Sequence, residues 1–136
     1  MSAYRDRPHA PVIVTAFRGV VIGVDARTGR ELWRADLGGF GPVRLHVDDR
    51  FVVALSKNRM LVIEYETGRV TATLPVSGTT LLVDGELAYV SASGVVTAVD
   101  LVAGEILWRN ELPGTGYGAA ALGTPHKTVQ GDVESD

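Results

Sequence analysis

The sequence contains no cysteine, which excludes disulfide bonds, thiolate metal ligands and cysteine nucleophiles. It has no apolar run that approaches the roughly 20 residues needed to cross a bilayer as a helix. Its N-terminal residues are polar and lack the apolar core of a secretory signal. These absences predict a soluble cytoplasmic protein with no membrane partner.

A strong charge of one sign is also missing. The formal net charge is −3, from 13 basic and 16 acidic residues, so the basic face of a general nucleic-acid binder is not expected. Hydrophobic residues make up 46% of the 136 positions, which is enough to build the core of one globular domain. We therefore expect a single domain without a nucleic-acid partner.

An internal repeat is the strongest positive signal in the sequence. Residues 20–33 resemble residues 95–108 closely and residues 59–72 more weakly. Aligned on Gly29, Gly68 and Gly104, the copies are 39 and 36 residues apart. A period of roughly 40 residues is typical of a four-stranded propeller blade.

Short runs of β-branched and apolar residues, separated by turns of a few polar or glycine residues, predict an antiparallel meander. No window has convincing helical periodicity. The first repeat has three predicted strands and the next two have four each, with one further candidate strand at 117–122. The predicted strands are 12–16, 20–25, 31–37, 43–47, 51–55, 60–65, 70–76, 80–83, 87–91, 95–100 and 106–112.

These strands predict an all-β, partial β-propeller of about three blades over residues 12–122. Residues 1–11 are expected to form a flexible arm and residues 123–136 a disordered polar tail. Three blades are too few for a ring, since closed propellers have about four to eight. We therefore predict a homodimer of six blades in which strand 117–122 completes the partner's first blade. The alternative is that the sequence is a fragment.

The repeated unit resembles the pyrroloquinoline-quinone-type β-propeller repeat, whose signature is Ala-x-Asp-x-x-Thr-Gly-x-x-x-Trp. The first copy has Gly23, Asp25, Thr28, Gly29 and Trp33 at the signature positions. The third copy has Ala98, Asp100, Ala103, Gly104 and Trp108. The second copy keeps Thr67 and Gly68 but has Val62, Glu64 and Ala72 at the other positions.

The resemblance implies a structural role for these residues. The tryptophan is expected to pack between neighbouring blades against the glycine turn, and the Asp and Thr are expected to hold that turn. Ala72, in place of a tryptophan, predicts a weaker contact at its blade. Relatives that use the quinone cofactor have a longer ring and a calcium site. Because this sequence has no apparent carboxylate cluster for calcium, we predict no cofactor and no metal.

Residues with the chemistry for catalysis are few and scattered. His9, His46 and His126 fall on the arm, a strand and the tail, so a metal site built from all three is not expected. No Gly-x-Ser-x-Gly motif is present, and we predict no catalytic residue. Among the histidines, His46 is the one to test, because its strand should lie near the axis of the ring.

One end of the blades is predicted to carry a binding surface, because propellers commonly bind partners through the turns between their second and third strands. We hypothesise a non-catalytic scaffold that binds a protein or peptide. The alternatives are a solvated rim, an enzyme or accessory enzyme with a pocket in the central channel of the assembled ring, and a remnant without function. The candidate binding residues are Arg18, Phe40, His46, Lys57, Asn58, Arg59, Ser93 and Tyr117.

Overall fold

The computed structural model describes residues 11–39, 41–111 and 121–130. Within these residues it has β-strands joined by short turns, and no helix. The strands are β1 (Val12–Phe17), β2 (Val20–Asp25), β3 (Glu31–Asp36), β4 (Arg44–Val47), β5 (Phe51–Leu55), β6 (Met60–Glu64), β7 (Val70–Leu74), β8 (Thr80–Asp84), β9 (Leu87–Ala92), β10 (Val95–Asp100), β11 (Glu105–Glu111), β12 (Leu122–Thr124) and β13 (Lys127–Val129).

The strands form antiparallel meanders in chain order. Blade 1 is the three-stranded sheet β1–β3, blade 2 is β4–β7 and blade 3 is β8–β11. The predicted architecture, an all-β partial propeller with three strands in the first unit and four in each of the next two, is confirmed.

The last two strands of every blade carry the same irregularity. The register between them shifts between Gly23 and Val24 in blade 1, between Val62 and Ile63 in blade 2, and between Ala98 and Val99 in blade 3. A β-bulge of this kind bends the outer strand and increases its twist. The repeat seen in the sequence is therefore a repeat of backbone geometry as well.

The core consists of the contacts between neighbouring blades, each of which we call a seam. Blade 2 is buried on both faces, so β5 and β6 are almost continuous apolar runs rather than alternating ones. The seam between blades 1 and 2 buries Val21, Trp33, Ala35, Leu37, Val52, Ala54, Leu61 and Ile63. The seam between blades 2 and 3 buries Val53, Leu55, Met60, Val62, Val76, Leu81, Val83, Ala88, Val90, Val99 and Leu101.

The C-terminal prediction was wrong in part. We expected residues 123–136 to be a disordered tail, but Leu122–Thr124 and Lys127–Val129 pair as a hairpin that packs on β8 of the same chain. Its short strands lack the apolar alternation that would have revealed them. The candidate strand 117–122 lies largely outside the described residues, as do residues 1–10 of the predicted arm and residues 131–136 of the tail.

No helix in the described residues is long and apolar enough to span a membrane.

Candidate functional site

The three turns that join the last two strands of each blade, residues 25–30, 64–69 and 100–105, share one geometry and are called motif turns here. In blade 1 the Asp25 carboxylate accepts hydrogen bonds from the backbone N–H groups of Arg27 (2.8 Å) and Thr28 (3.4 Å). Gly29 has φ +76°, a conformation that suits glycine because it has no Cβ. Its N–H donates to the Asp25 carbonyl at 2.8 Å.

The other two motif turns keep this geometry with different side chains. Asp100 accepts hydrogen bonds from the N–H groups of Val102 (2.9 Å) and Ala103 (3.0 Å), as Asp25 does. In blade 2 the longer Glu64 accepts a hydrogen bond from the Thr67 hydroxyl at 2.7 Å instead. The backbone bond across the turn is 2.8 Å long in all three blades, so the glycine and this bond define the turn.

Trp33 lies between two glycines of neighbouring blades. A Cβ added to Gly23, its cross-strand partner, or to Gly68, in the motif turn of blade 2, would overlap the indole ring. Trp33 is 8% exposed, so it fills the seam between blades 1 and 2. Its buried indole N–H has no hydrogen-bond partner among the described residues.

The equivalent positions in the other blades differ from Trp33. Ala72 takes the tryptophan's place in blade 2, and a Cβ added to Gly104 would lie 2.9 Å from the Ala72 Cβ. Trp108 was expected to be buried between blades, but it is 47% exposed. It packs on Tyr89 of its own blade, with ring centroids 6.4 Å apart, because no motif turn from a following blade covers it in the described residues.

Several of the predicted binding residues meet at one end of the blades, which we call the loop face. It carries the turns between β1 and β2, β5 and β6, and β9 and β10. The Gly19 carbonyl accepts hydrogen bonds from the N–H groups of Leu37 (2.6 Å) and Gly38 (3.0 Å), which joins the Arg18 turn to the connector between blades 1 and 2. Gly38 and Gly39 in turn lie against the side chains of Arg59 and Asn58.

Two of these turns have a backbone conformation that is uncommon for their residues. Arg18 has φ +51° and Ser93 has φ +49°, and each is followed by a glycine with positive φ. Two successive positive φ angles are typical of a two-residue hairpin turn, in which Asn-Gly is favoured. For a residue other than glycine, asparagine or aspartate this conformation costs about 1–2 kcal/mol. Both side chains are exposed at the tips of their turns.

The remaining candidates are divided between the loop face and other places. Lys57 is exposed on the β5–β6 turn, whose backbone is held by the Ser56 hydroxyl. Phe40 and Tyr117 lie outside the described residues. Asp36 is the acidic residue at the end of β3 on this face, and it accepts a hydrogen bond from the Gly38 N–H at 2.9 Å.

His46 is not part of the loop face. Its Nε2 lies 2.7 Å from the Asp48 carboxylate, in the β4–β5 turn at the opposite end of the blade. Burial raises the pKa of Asp48, but hydrogen bonds from His46 and from the backbone N–H groups of Phe51 and Arg50 outweigh it and hold the pKa below its usual value. His46 also lines an open cavity beside the inner strands.

That cavity has a volume of about 370 Å³ and lies among β4, β8 and the C-terminal hairpin. Its lining mixes apolar, hydroxyl and basic side chains, and no Asp or Glu is among the described residues that line it. Nor do the described residues contain any group of three or more His, Asp and Glu that could hold a metal ion. The lining residues are Val43, Arg44, Leu45, His46, Thr79, Thr80, Leu81, Val83, Lys127, Val129 and Gln130.

A polar cluster that the sequence did not reveal attaches the C-terminal hairpin to blade 3. The Asp84 carboxylate accepts a hydrogen bond from the Thr124 hydroxyl at 2.6 Å and lies 3.1 Å from His126 Nδ1. These hydrogen bonds, that of Thr124 first, hold the pKa of Asp84 below its usual value. The Lys127 ammonium donates to the Val83 carbonyl at 3.2 Å. The residues in each of these contacts are about 40 positions apart in the sequence, so local sequence spacing does not predict the contacts.

Residues 18–134 match the family model described as outer membrane protein assembly factor BamB. The chain belongs to the BamB family. The resemblance to the pyrroloquinoline-quinone-type repeat is thereby confirmed, since a repeated motif turn and inter-blade tryptophan are present where that signature places them. No curated protein matches the chain.

Solved structures resemble the fold of this BamB-family chain at low sequence identity. BamB from Moraxella catarrhalis is 19% identical with a TM-score of 0.57, over 82% of this chain and 35% of that one. Two computationally designed proteins are each 22% identical. Ika8 has a TM-score of 0.71 over 92% of this chain and 41% of its own, and Ika4 has a TM-score of 0.69 over 90% and 82%. The chain thus spans about two-fifths of Ika8 and most of Ika4.

Proposed function

We propose that this protein is a non-catalytic binding module, which assembles with a second copy and presents its loop face to an acidic segment of a protein or peptide. The loop face carries three cations, Arg18, Lys57 and Arg59, on a chain whose formal net charge is −3. Clustered cations of this kind produce a local positive potential that attracts acidic partners. The description of the family as an assembly factor is consistent with a protein partner.

The backbone of Arg18 is the observation that carries the proposal. An arginine with φ +51° is less stable at that place than asparagine or glycine would be. Unfavourable backbone conformations persist where the side chain has another use. The Arg18 guanidinium is exposed at the tip of the turn, so contact with a partner is the use that we infer for it.

The test compares two triple variants with equal changes of charge. R18A/K57A/R59A removes the cations of the loop face, and R27A/R30A/R69A removes three exposed cations from motif turns at the opposite end. The probe is a synthetic Glu/Ser peptide, with a Lys/Ser peptide of equal length as its control. We expect the first variant to lose binding of the acidic peptide and the second to retain it. Equal binding by both variants would refute the assignment of the loop face.

The cavity beside His46 supports a second candidate, an enzyme or accessory enzyme whose pocket forms at the channel of the assembled ring. The hydrogen bond to Asp48 would orient His46 as a general base, and the hydroxyls of Thr79 and Thr80 line the same cavity. His46→Ala separates the candidates, because it leaves the loop face unchanged. A binding module retains its affinity for the acidic peptide in this variant, whereas loss of that affinity contradicts the first proposal.

Assembly with a second copy is supported by the two ends of the three-blade arc. Exposed apolar side chains include Ile13 and Phe17 on blade 1 and Trp108 on blade 3. Large apolar patches at free sheet faces are typical of interaction surfaces. Ika8 and Ika4 both match the three-blade arc of this chain, and the Ika4 chain is about half as long as the Ika8 chain. Propeller blades of this type therefore occur in chains of about the length of this protein.

A further inference from the structure

We propose that Trp108 of one copy packs against the Gly29 turn of a second copy, and so repeats between chains the seam that Trp33 and Gly68 make within one chain. This inference rests on the proposed self-assembly and names the residues that carry it. A second copy of this chain then covers both exposed ends of the arc.

The seam within the chain is the template. Trp33, on β3 of blade 1, lies against Gly68 in the motif turn of blade 2 so closely that a Cβ there would overlap the indole. Ala72 and Gly104 form the same pair between blades 2 and 3. The position of Trp108 is equivalent to that of Trp33 and Ala72, four residues after the motif glycine. The pattern therefore requires a motif glycine from a following blade beside Trp108.

On blade 3, the Trp108 side of the proposed contact is exposed. Trp108 is 47% exposed whereas Trp33, its equivalent, is 8% exposed. Along the same face of blade 3, Trp108 is level with Ala98 and Tyr89, which pair across the sheet. With 47% of its surface exposed, Trp108 is accessible to a neighbour.

On blade 1, the Gly29 turn is accessible as well. Gly29 has the same φ as Gly68, +76°, but a Cβ added to it would meet nothing within 4 Å. On the same side of blade 1, Ile13 pairs with Val24 as Val52 pairs with Ile63 and as Ala88 pairs with Val99. Ile13 is 57% exposed, whereas both Val52 and Ala88 are 0% exposed. Blade 1 therefore has the pattern of a face that a preceding blade covers.

Two copies can satisfy both halves at once. In a two-fold dimer, Trp108 of each copy meets Gly29 of the other, which gives two identical seams and a ring of six blades. Six lies within the usual range of about four to eight blades. In this dimer, the exposed face of blade 1 and the exposed face of blade 3 are the two halves of one interface.

The first test fills the turn without changing the apolar surface. Gly29→Asn adds a side chain that tolerates positive φ, and Gly85→Asn is its matched control, because Gly85 has φ +63° and equally open surroundings. We expect Gly29→Asn and Trp108→Ala to raise the dimer dissociation constant by about thirtyfold or more, the effect of losing a buried tryptophan contact. Gly85→Asn should leave it unchanged. Equal constants for Gly29→Asn and the control would overturn the proposal.

Mixing the two weakened variants identifies the contact itself. A mixed dimer of Trp108→Ala and Gly29→Asn contains one native seam, in which Trp108 of the second variant meets Gly29 of the first. We therefore expect the mixture to dimerise more tightly than either variant alone. If Trp108 instead contacts Trp108 of the other copy, Gly29→Asn alone keeps the native contact, and the mixture dimerises no more tightly than that variant.

The fluorescence emission of Trp108 tests the seam independently of peptide binding. In a Trp33→Phe background, Trp108 is the one tryptophan left, so its emission reports burial of the seam directly. A blue shift with rising concentration supports the seam even if the acidic peptide does not bind. Binding of the peptide by a chain whose emission is independent of concentration would overturn the seam and leave the loop face standing.

Discussion

Replacing motif glycines by alanine measures how much each seam contributes to stability, because the turns share one backbone geometry. Gly29 and Gly68 both have φ +76°, so alanine costs the same backbone strain at either place, about 1–2 kcal/mol. They differ in their surroundings, since a Cβ at Gly68 would overlap the Trp33 indole and one at Gly29 would meet nothing within 4 Å. Gly104, with the Ala72 Cβ at 2.9 Å, is intermediate.

We therefore expect Gly68→Ala to lower the free energy of unfolding by about 1–3 kcal/mol more than Gly29→Ala does, the usual cost of overpacking a core. Gly104→Ala should fall between them. The assay is urea denaturation followed by circular dichroism, at protein concentrations low enough that the chain is monomeric. Equal losses at Gly29 and Gly68 would show that Trp33 does not pack on the blade 2 turn, and the template for the proposed dimer would fail with it.

Three further predictions concern single side chains. Arg18→Asn should raise the free energy of unfolding by up to about 1 kcal/mol, because asparagine tolerates positive φ, while it weakens acidic-peptide binding; a variant no more stable than the parent contradicts the inferred strain. The pKa of Asp84 is below its usual value in the fold, so its contribution to stability is present above the usual pKa of an aspartate and is lost as the pH falls through the lowered pKa. Acid should therefore release the hairpin, seen by NMR as faster amide exchange at residues 122–129, and Asp84→Asn should remove that dependence. Asp48→Asn should likewise reduce the loss of the free energy of unfolding at acid pH, measured by urea denaturation over a series of pH values, because the pKa of Asp48 is also lowered. An unchanged loss argues against the bond to His46.

Most of the fold could be predicted from the sequence, because the blade is a local unit with a repeating turn. The Asp–Gly spacing of the motif turns and the strand periodicity come from residues close together in the chain. They place blades 1, 2 and 3 with the observed number of strands. The two glycines beside Trp33 belong to the same repeat, so the signature predicted this contact as well.

The parts that the sequence did not reveal depend on distant partners. Asp84 and Thr124 each end a short strand, and their hydrogen bond exists only because the hairpin folds back on β8. The exposure of Trp108 could not be read from its motif, which is the same as that of Trp33. What differs is whether another blade packs against the tryptophan, and the local sequence does not encode this. His46 lines the cavity among β4, β8 and the C-terminal hairpin and lies away from the loop face with which it was grouped.

The central claim is that the two exposed ends of the arc are halves of one seam between copies. Light scattering across a series of concentrations tests it most directly, since the chain has a mass of 14.5 kDa. The account predicts a mass that rises to twice this value and no further, because a two-fold ring leaves no free end. A mass that stays at 14.5 kDa at every concentration, or that grows without limit, would contradict it.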